Sequence, residues 1–203
     1  MTTKTSAQDI DQVRETILLA AEQRLRTFGY GKTTMAEIAT DAGMSAANLY
    51  RYFDSKLDIG AALALHCFEN RNTLLQQVVQ RTDLTPPEKL QAFVIACLHY
   101  THTEFSEAPK VNELVDIIVA ERPDLIQVKI ENDLKLIRAI LTDGINSGEF
   151  AIDDLAVTAQ AIQNAVVKFN VPLFITMHPL AEFEQHARAL VDLLVRGLAS
   201  KQD

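Results

Sequence analysis

Three helix starts crowd into the stretch TTMAEIATDAGMSAANLYRYFDSK, Thr33–Lys56. Thr34 stands three residues before Glu37, the spacing of a capping box, in which each side chain reaches the other residue's backbone N–H. Ser45 offers a second N-terminal cap, and Ser55, with Asp58 at the box position, a third. Gly43 interrupts, so the helix opened by Thr34 lasts only to about Asp41, and the one opened by Ser45 ends near Phe53. Two helices this short, joined through Ala42-Gly43-Met44, must cross steeply, and glycine takes the positive φ of such a turn without steric cost. Ile38, Ala39, Met44 and Leu49 are spaced to lock the pair onto a helix upstream, and the small Ala39, Ala42, Ala46 and Ala47 allow close approach. The pattern is a helix-turn-helix.

Helical periodicity runs through the rest of the chain, with no strand alternation and no long repeat. Helix 1 is expected to follow a cap at Ser6, with Asp9 at the box position. It presents Ile10, Val13, Ile17, Leu25 and Phe28 on one face and stops at Gly29. Helix 4 runs on from Ser55, and helix 5 opens with Thr85, Pro86 and Glu88 and reaches Phe105. Helix 6 is expected over about Val111 to Ala120, and helix 7 carries its stripe from Ile126 to Ile145 before Gly148. Helix 8 opens at Asp153/Asp154 and is expected to continue to about Met177, kinked at Pro172. Helix 9 begins at Pro179. The expected fold is all-α, with about nine helices. Residues 1–54 form the helix-turn-helix domain and 55–203 a second helical domain, with helix 4, from 55 to about 80, linking them.

Charge limits what such a chain binds. The 203 residues carry a formal charge of −8, which excludes a protein that coats nucleic acid over its whole surface. Between Arg24 and Lys56, however, five basic residues face three acidic ones. Cys67 and Cys97 lie in apolar helical patterns and give no disulfide framework, so the reducing cytoplasm is the expected compartment. The N-terminus lacks a signal-peptide pattern, and the least charged stretch, Leu155–His178, holds too many amides to read as a membrane span. His66 adjoins Cys67, and Cys97, His99 and His102 share helix 5, but neighbours at i, i+1 and i, i+2 do not share a helix face; no metal site is expected. No phosphate loop, nucleophile elbow or zincin pattern occurs, so neither catalytic residues nor a cofactor is expected.

The same stretch, after a helix ending in FGY, resembles the DNA-binding domain of the tetracycline-repressor (TetR/AcrR) family of bacterial regulators. The resemblance spans roughly Thr16 to Leu63. It is most specific at Gly29, Thr33/Thr34, Ile38-Ala39, Ala42-Gly43, Ser45, Leu49-Tyr50, Phe53 and Lys56. Two positions depart from the family pattern: Ala47, where glycine is common, and Tyr52, where histidine is common. The resemblance implies that the second short helix enters the major groove of duplex DNA by its N-terminal end. Thr33 and Thr34 then meet the DNA backbone, where helix N–H groups and a hydroxyl suit a phosphate. Ser45 caps the recognition helix beside a phosphate, and Ala46 and Ala47 face the groove, where a methyl sits against thymine. Asn48 reads adenine, Tyr50 and Tyr52 anchor to phosphates, Arg51 reaches a guanine edge or a phosphate, and Lys56 binds phosphate. Read without the resemblance, Thr34 and Ser45 are helix caps, Tyr50 a core residue and Arg51 a solvated charge.

For the downstream helices the resemblance implies an effector-binding and dimerisation domain. Helices 8 and 9 carry more apolar surface than one core needs, in keeping with a homodimer through both and a palindromic operator. A small-molecule effector would meet polar or aromatic residues on apolar faces: Phe68, Cys97, Tyr100, Glu104, Asn164, Asn170 and Phe174. The reading is a cytoplasmic repressor released from its operator by a ligand. The alternatives are a ligand-independent architectural or cell-division protein on the same fold, or a helical enzyme or interaction module.

Overall fold

The computed structural model describes residues 7–106 and 108–199. Among them are nine α-helices and three 3-10 turns: α1 Ala7–Phe28, α2 Met35–Asp41, α3 Ala46–Leu49, α4 Lys56–Val79, α5 Pro86–Phe105, α6 Asn112–Glu121, α7 Pro123–Asn146, α8 Leu155–Ala165 and α9 Leu180–Leu198. Phe150 and Ala199 form an isolated antiparallel bridge; the described residues contain no strand. The expected cap at Ser6 lies outside the described residues. The chain divides into two units, Met1–Cys67 with Ala108–Leu125, and Phe68–Glu107 with Ile126–Asp203.

In the first unit, α1, α2 and α3 close on a core of Ile17, Ala21, Ile38, Ala39, Leu49, Phe53 and Ile59. A four-residue α3 has no stability of its own, because helix nucleation outweighs the few bonds it makes. Burial of Leu49, worth about 2 kcal/mol, and the cap at Ser45 hold it in place. Gly43, at φ +69°, makes the turn, and Met44 N–H donates back to the Ala39 carbonyl. The expected helix 3 reaches Phe53; in the structure α3 ends at Leu49, and Tyr50–Tyr52 continue as a tight turn whose N–H groups donate to Ala46, Asn48 and Leu49. On α6, Leu114 and Ile118 are buried. Glu113 accepts a hydrogen bond from Gly31 N–H, and nearby Lys110 Nζ donates to the Thr27 carbonyl.

The second unit buries Leu75, Leu90, Phe93, Val94, Leu98, Ile137, Ile140, Leu141, Phe183 and their neighbours. Thr85 and Glu88 form the capping box expected for α5, and Asp154 Oδ1 accepts from Ala156 and Val157 N–H to start α8. The continuous helix to Met177 does not form. α8 stops at Ala165 and gives way to 3-10 turns at Val167–Phe169 and Pro172–Met177. Pro172 lacks an N–H, and the residue before a proline is pushed out of the α region; Val171 is extended at φ −118°, ψ 125°. Helix 6 likewise begins one residue later than expected, behind a 3-10 turn at Pro109–Val111. No described helix is long and apolar enough to cross a membrane.

Candidate nucleic-acid interface

The capping box at α2 is complete: Thr34 Oγ1 accepts from Glu37 N–H, and the Glu37 carboxylate accepts from Thr34 N–H at 2.9 Å. The Thr34 hydroxyl hydrogen bond holds the Glu37 carboxyl below its usual range, aided by the Thr34 N–H. Arg24 of α1 pairs with both Glu37 and Asp41, tying the two helices together across the surface. Thr34 is exposed at this helix start. Thr33 is not: it is 1% exposed, and its hydroxyl donates to the Gly29 carbonyl at 2.8 Å. Its side chain therefore serves the turn after α1 and does not present a hydroxyl to a phosphate, contrary to the expectation from the resemblance.

Ser45 caps α3 by accepting from Asn48 N–H at 3.2 Å. Ser45, Ala47, Tyr50 and Arg51 are exposed, and Ala46, Asn48 and Tyr52 half-buried. Tyr50 is 50% exposed, so it is not a core residue. The Tyr52 carbonyl accepts from Arg14 of α1, whose guanidinium lies 4.1 Å from the Phe53 ring centre, so the end of this turn is fixed by a stacked cation. Ala46, Ala47, Asn48 and Arg51 are left as a short edge of small, amide and cationic side chains. Such an edge can enter a groove, place methyls against thymine and supply donors to base edges or phosphates.

Lys56 does more than expected. Its Nζ donates to the Tyr30 carbonyl at 2.6 Å and the Thr33 carbonyl at 2.8 Å, and lies 4.1 Å from the Tyr30 ring centre. Burial pushes its pKa below the usual lysine range, against the pull of Glu113 and Glu37. Two of its three donors thus hold the loop before α2, leaving one for a phosphate. Sequence spacing gives no sign of this bond, nor of Glu113, which braces the same loop from α6.

The seven residues suggested for an effector fare differently. Asn164 is exposed and accepts from Gln160 on the surface of α8. Phe68, Tyr100, Glu104 and Phe174 are half-buried. Cys97 and Asn170 are buried. Cys97 joins a polar cluster that the sequence does not reveal. Arg71 grips Asp133 through both terminal nitrogens and donates to Cys97 Sγ at 3.1 Å, Lys129 adds a contact to Asp133 at 3.2 Å, and Gln163 reaches Asp133 at 3.5 Å. Burial opposes ionisation of Asp133, but Arg71 and Lys129 outweigh it and hold its pKa below the usual carboxylate range; burial pushes the Cys97 thiol up. Arg71 Nε, Gln163 Oε1 and Asn170 Nδ2 are buried without protein partners. Buried polar groups are rarely left so. Lys129 and Asp133 are four apart on α7, the spacing of an ordinary surface pair, and Arg71 is 62 residues from Asp133, so no local pattern exposes the cluster.

Comparison with known proteins agrees with this geometry. Residues 17–63 match the family described as bacterial regulatory proteins, tetR family, and residues 86–191 match the tetracyclin repressor-like, C-terminal domain. The HTH-type transcriptional repressor BepR of Brucella suis biovar 1 (strain 1330) is 27% identical over 161 residues, covering 77% of each chain. The crystal structure of the TetR family transcriptional regulator PfmR from Thermus thermophilus matches with a TM-score of 0.63 and 26% identity, over 93% of this chain and 98% of that one. A putative transcriptional regulator from Pseudomonas aeruginosa PAO1 shares the fold, with a TM-score of 0.73 over 96% of each chain at 16% identity.

Proposed function

Since the chain belongs to the TetR family and is a DNA-binding transcriptional regulator rather than an enzyme, we propose that it is a cytoplasmic repressor that leaves a palindromic operator when a small molecule binds its second domain. The observation that carries the DNA half is the short α3, capped by Ser45, with Ala46, Ala47, Asn48 and Arg51 along its outer edge. Thr34, Tyr50, Tyr52 and one donor of Lys56 flank that edge as phosphate contacts. Residues 1–54 act as the reading head and 55–203 as the sensing and dimerisation part. The similarity to BepR, a transcriptional repressor, supports the direction of regulation.

Homodimerisation through α8 and α9 is supported by apolar side chains left on the surface of this region, at Val157, Leu173, Met177 and Leu193. A two-fold dimer sets its reading heads one or more helical turns apart, which is why the operator is palindromic. The effector reading rests on the cluster of Arg71, Cys97, Asp133 and Gln163. A ligand that brings an acceptor to Arg71 Nε and a donor to Gln163 Oε1 satisfies groups the protein leaves bare, and so binds one arrangement of these helices in preference to another.

Selection from random duplexes at moderate salt tests the proposal. It should enrich a palindrome, and a metabolite or drug screen should find a compound that both raises the melting temperature and releases the selected duplex. Enrichment of no palindrome would overturn the repressor reading. A palindrome with no releasing compound would favour the ligand-independent alternative.

A further inference from the structure

We propose that His178, Glu182 and His186 bind one divalent cation of the Zn²⁺, Co²⁺ and Ni²⁺ class at the N-terminal end of α9. The site does not depend on the DNA-binding reading. His178 lies just ahead of Pro179, the residue that caps α9, in extended conformation (φ −141°, ψ 152°), and its ring reaches Glu182 in the first turn of the helix. Its Nδ1 lies 2.9 Å from Glu182 Oε1, and His186 Nε2 lies 3.8 Å from the same oxygen. One ligand atom from each of the three falls within 4.8 Å of the other two. The rings of His178 and His186 stand edge to face, 4.9 Å apart, and that of His178 rests 5.4 Å from Phe183, which is fully buried and fixes that side of the cluster.

A tetrahedral ion with ligands at about 2.0–2.1 Å spaces them about 3.4 Å apart. The two edges that meet at Glu182 bracket this value, and the exposed ring of His186 can rotate to close the third. Two imidazoles and one carboxylate suit borderline transition ions, whereas Mg²⁺ and Ca²⁺ take oxygen ligands. Three protein ligands leave a coordination position open to water. One neighbour opposes the ion: Lys168 Nζ lies 3.5 Å from His178 Nε2 and 5.5 Å from the Phe183 ring centre. His99 and Glu184 form a separate pair.

Equilibrium dialysis of the untagged full chain against Zn²⁺ or Co²⁺, with metal analysis and the visible absorption of bound Co²⁺, tests the site. One ion per chain is expected, with Mg²⁺ and Ca²⁺ unable to displace it. His186→Ala and Glu182→Gln should each weaken uptake by about 10-fold or more, since even outer-shell changes have effects of that size. Both side chains are about half exposed, so the fold should survive, as circular dichroism will check. Lys168→Met, which removes the opposing charge, should tighten binding, and His66→Ala should leave it unchanged. No stoichiometric uptake, uptake kept in His186→Ala, or one ion per two chains would overturn the proposal.

Discussion

Replacing Asp133 by alanine should be among the most damaging single changes in the second unit. The carboxylate is 2% exposed and receives three cationic donors: two from Arg71, itself 5% exposed, and one from Lys129. Its removal leaves the Arg71 guanidinium with only the Cys97 sulfur, and leaves Lys129 beside an unneutralised charge. Breaking a buried pair in this way costs about 3–5 kcal/mol, a large share of a typical total of about 5–15 kcal/mol. The double variant Arg71→Met, Asp133→Leu removes both charges of the bidentate pair and fills the space, leaving Lys129 as the one charge without its partner. It should cost much less than the sum of the single changes, giving a coupling of about 2 kcal/mol or more. Urea unfolding followed by far-ultraviolet circular dichroism measures Asp133→Ala, the two single changes and the double variant. The pH dependence has a fixed sign. Because the native pKa of Asp133 is lowered, its contribution is complete above the unfolded value of about 3.9. It is lost as pH falls through the lower native value, so the gap between wild type and Asp133→Ala should shrink in acid. A cost below about 1 kcal/mol, additive single changes, or a gap that widens in acid would refute the reasoning.

Thr34→Ala removes one half of a complete capping box and should cost about 1 kcal/mol of stability, read by thermal melting. Gly43→Ala meets open space but forces an alanine to φ +69°, so about 1–2 kcal/mol should be lost with no steric clash in a crystal structure of the variant. Arg51→Ala should leave the melting temperature unchanged and lower the salt slope of DNA binding by about one if Arg51 meets a phosphate, or relax one base position if it reads a base. Glu113→Ala removes the acceptor of Gly31 N–H, so the loop before α2 should lose hydrogen-exchange protection while α1 and α2 keep theirs.

The fold is legible where local chemistry decides it. Thr34 with Glu37, Ser45, Thr85 with Glu88, and Asp154 all cap the helices they are expected to open, because a cap involves only residues two or three apart. Helix 8 is the exception. Its apolar run favours continuation, but α8 already stops at Ala165, and the extended Val171 before Pro172 breaks the chain a second time rather than kinking one helix. At the interface, spacing tells which residues neighbour one another along α3 but not which way a hydroxyl points. Thr33 and Thr34 are adjacent and alike, yet one is buried against Gly29 and the other exposed. Gln163 and Asn164 show the same limit on α8, where the inward amide belongs to the cluster and the outward one to the surface. Long-range partners such as Arg71 with Asp133, or Glu113 with Gly31, leave no local trace because each looks like a surface charge in its own helix.

If the outer edge of α3 lies against the bases, a negative charge placed there must abolish tight binding. Ala47 sits on that edge, exposed. Ala47→Glu therefore places a carboxylate against the DNA without touching the core. Fluorescence anisotropy on the duplex enriched by wild-type protein should show an affinity loss of about 100-fold or more, from like-charge repulsion at a tightly packed contact, with the melting temperature unchanged within about one degree. Wild-type affinity in a folded Ala47→Glu protein would contradict the placement of α3 in the groove.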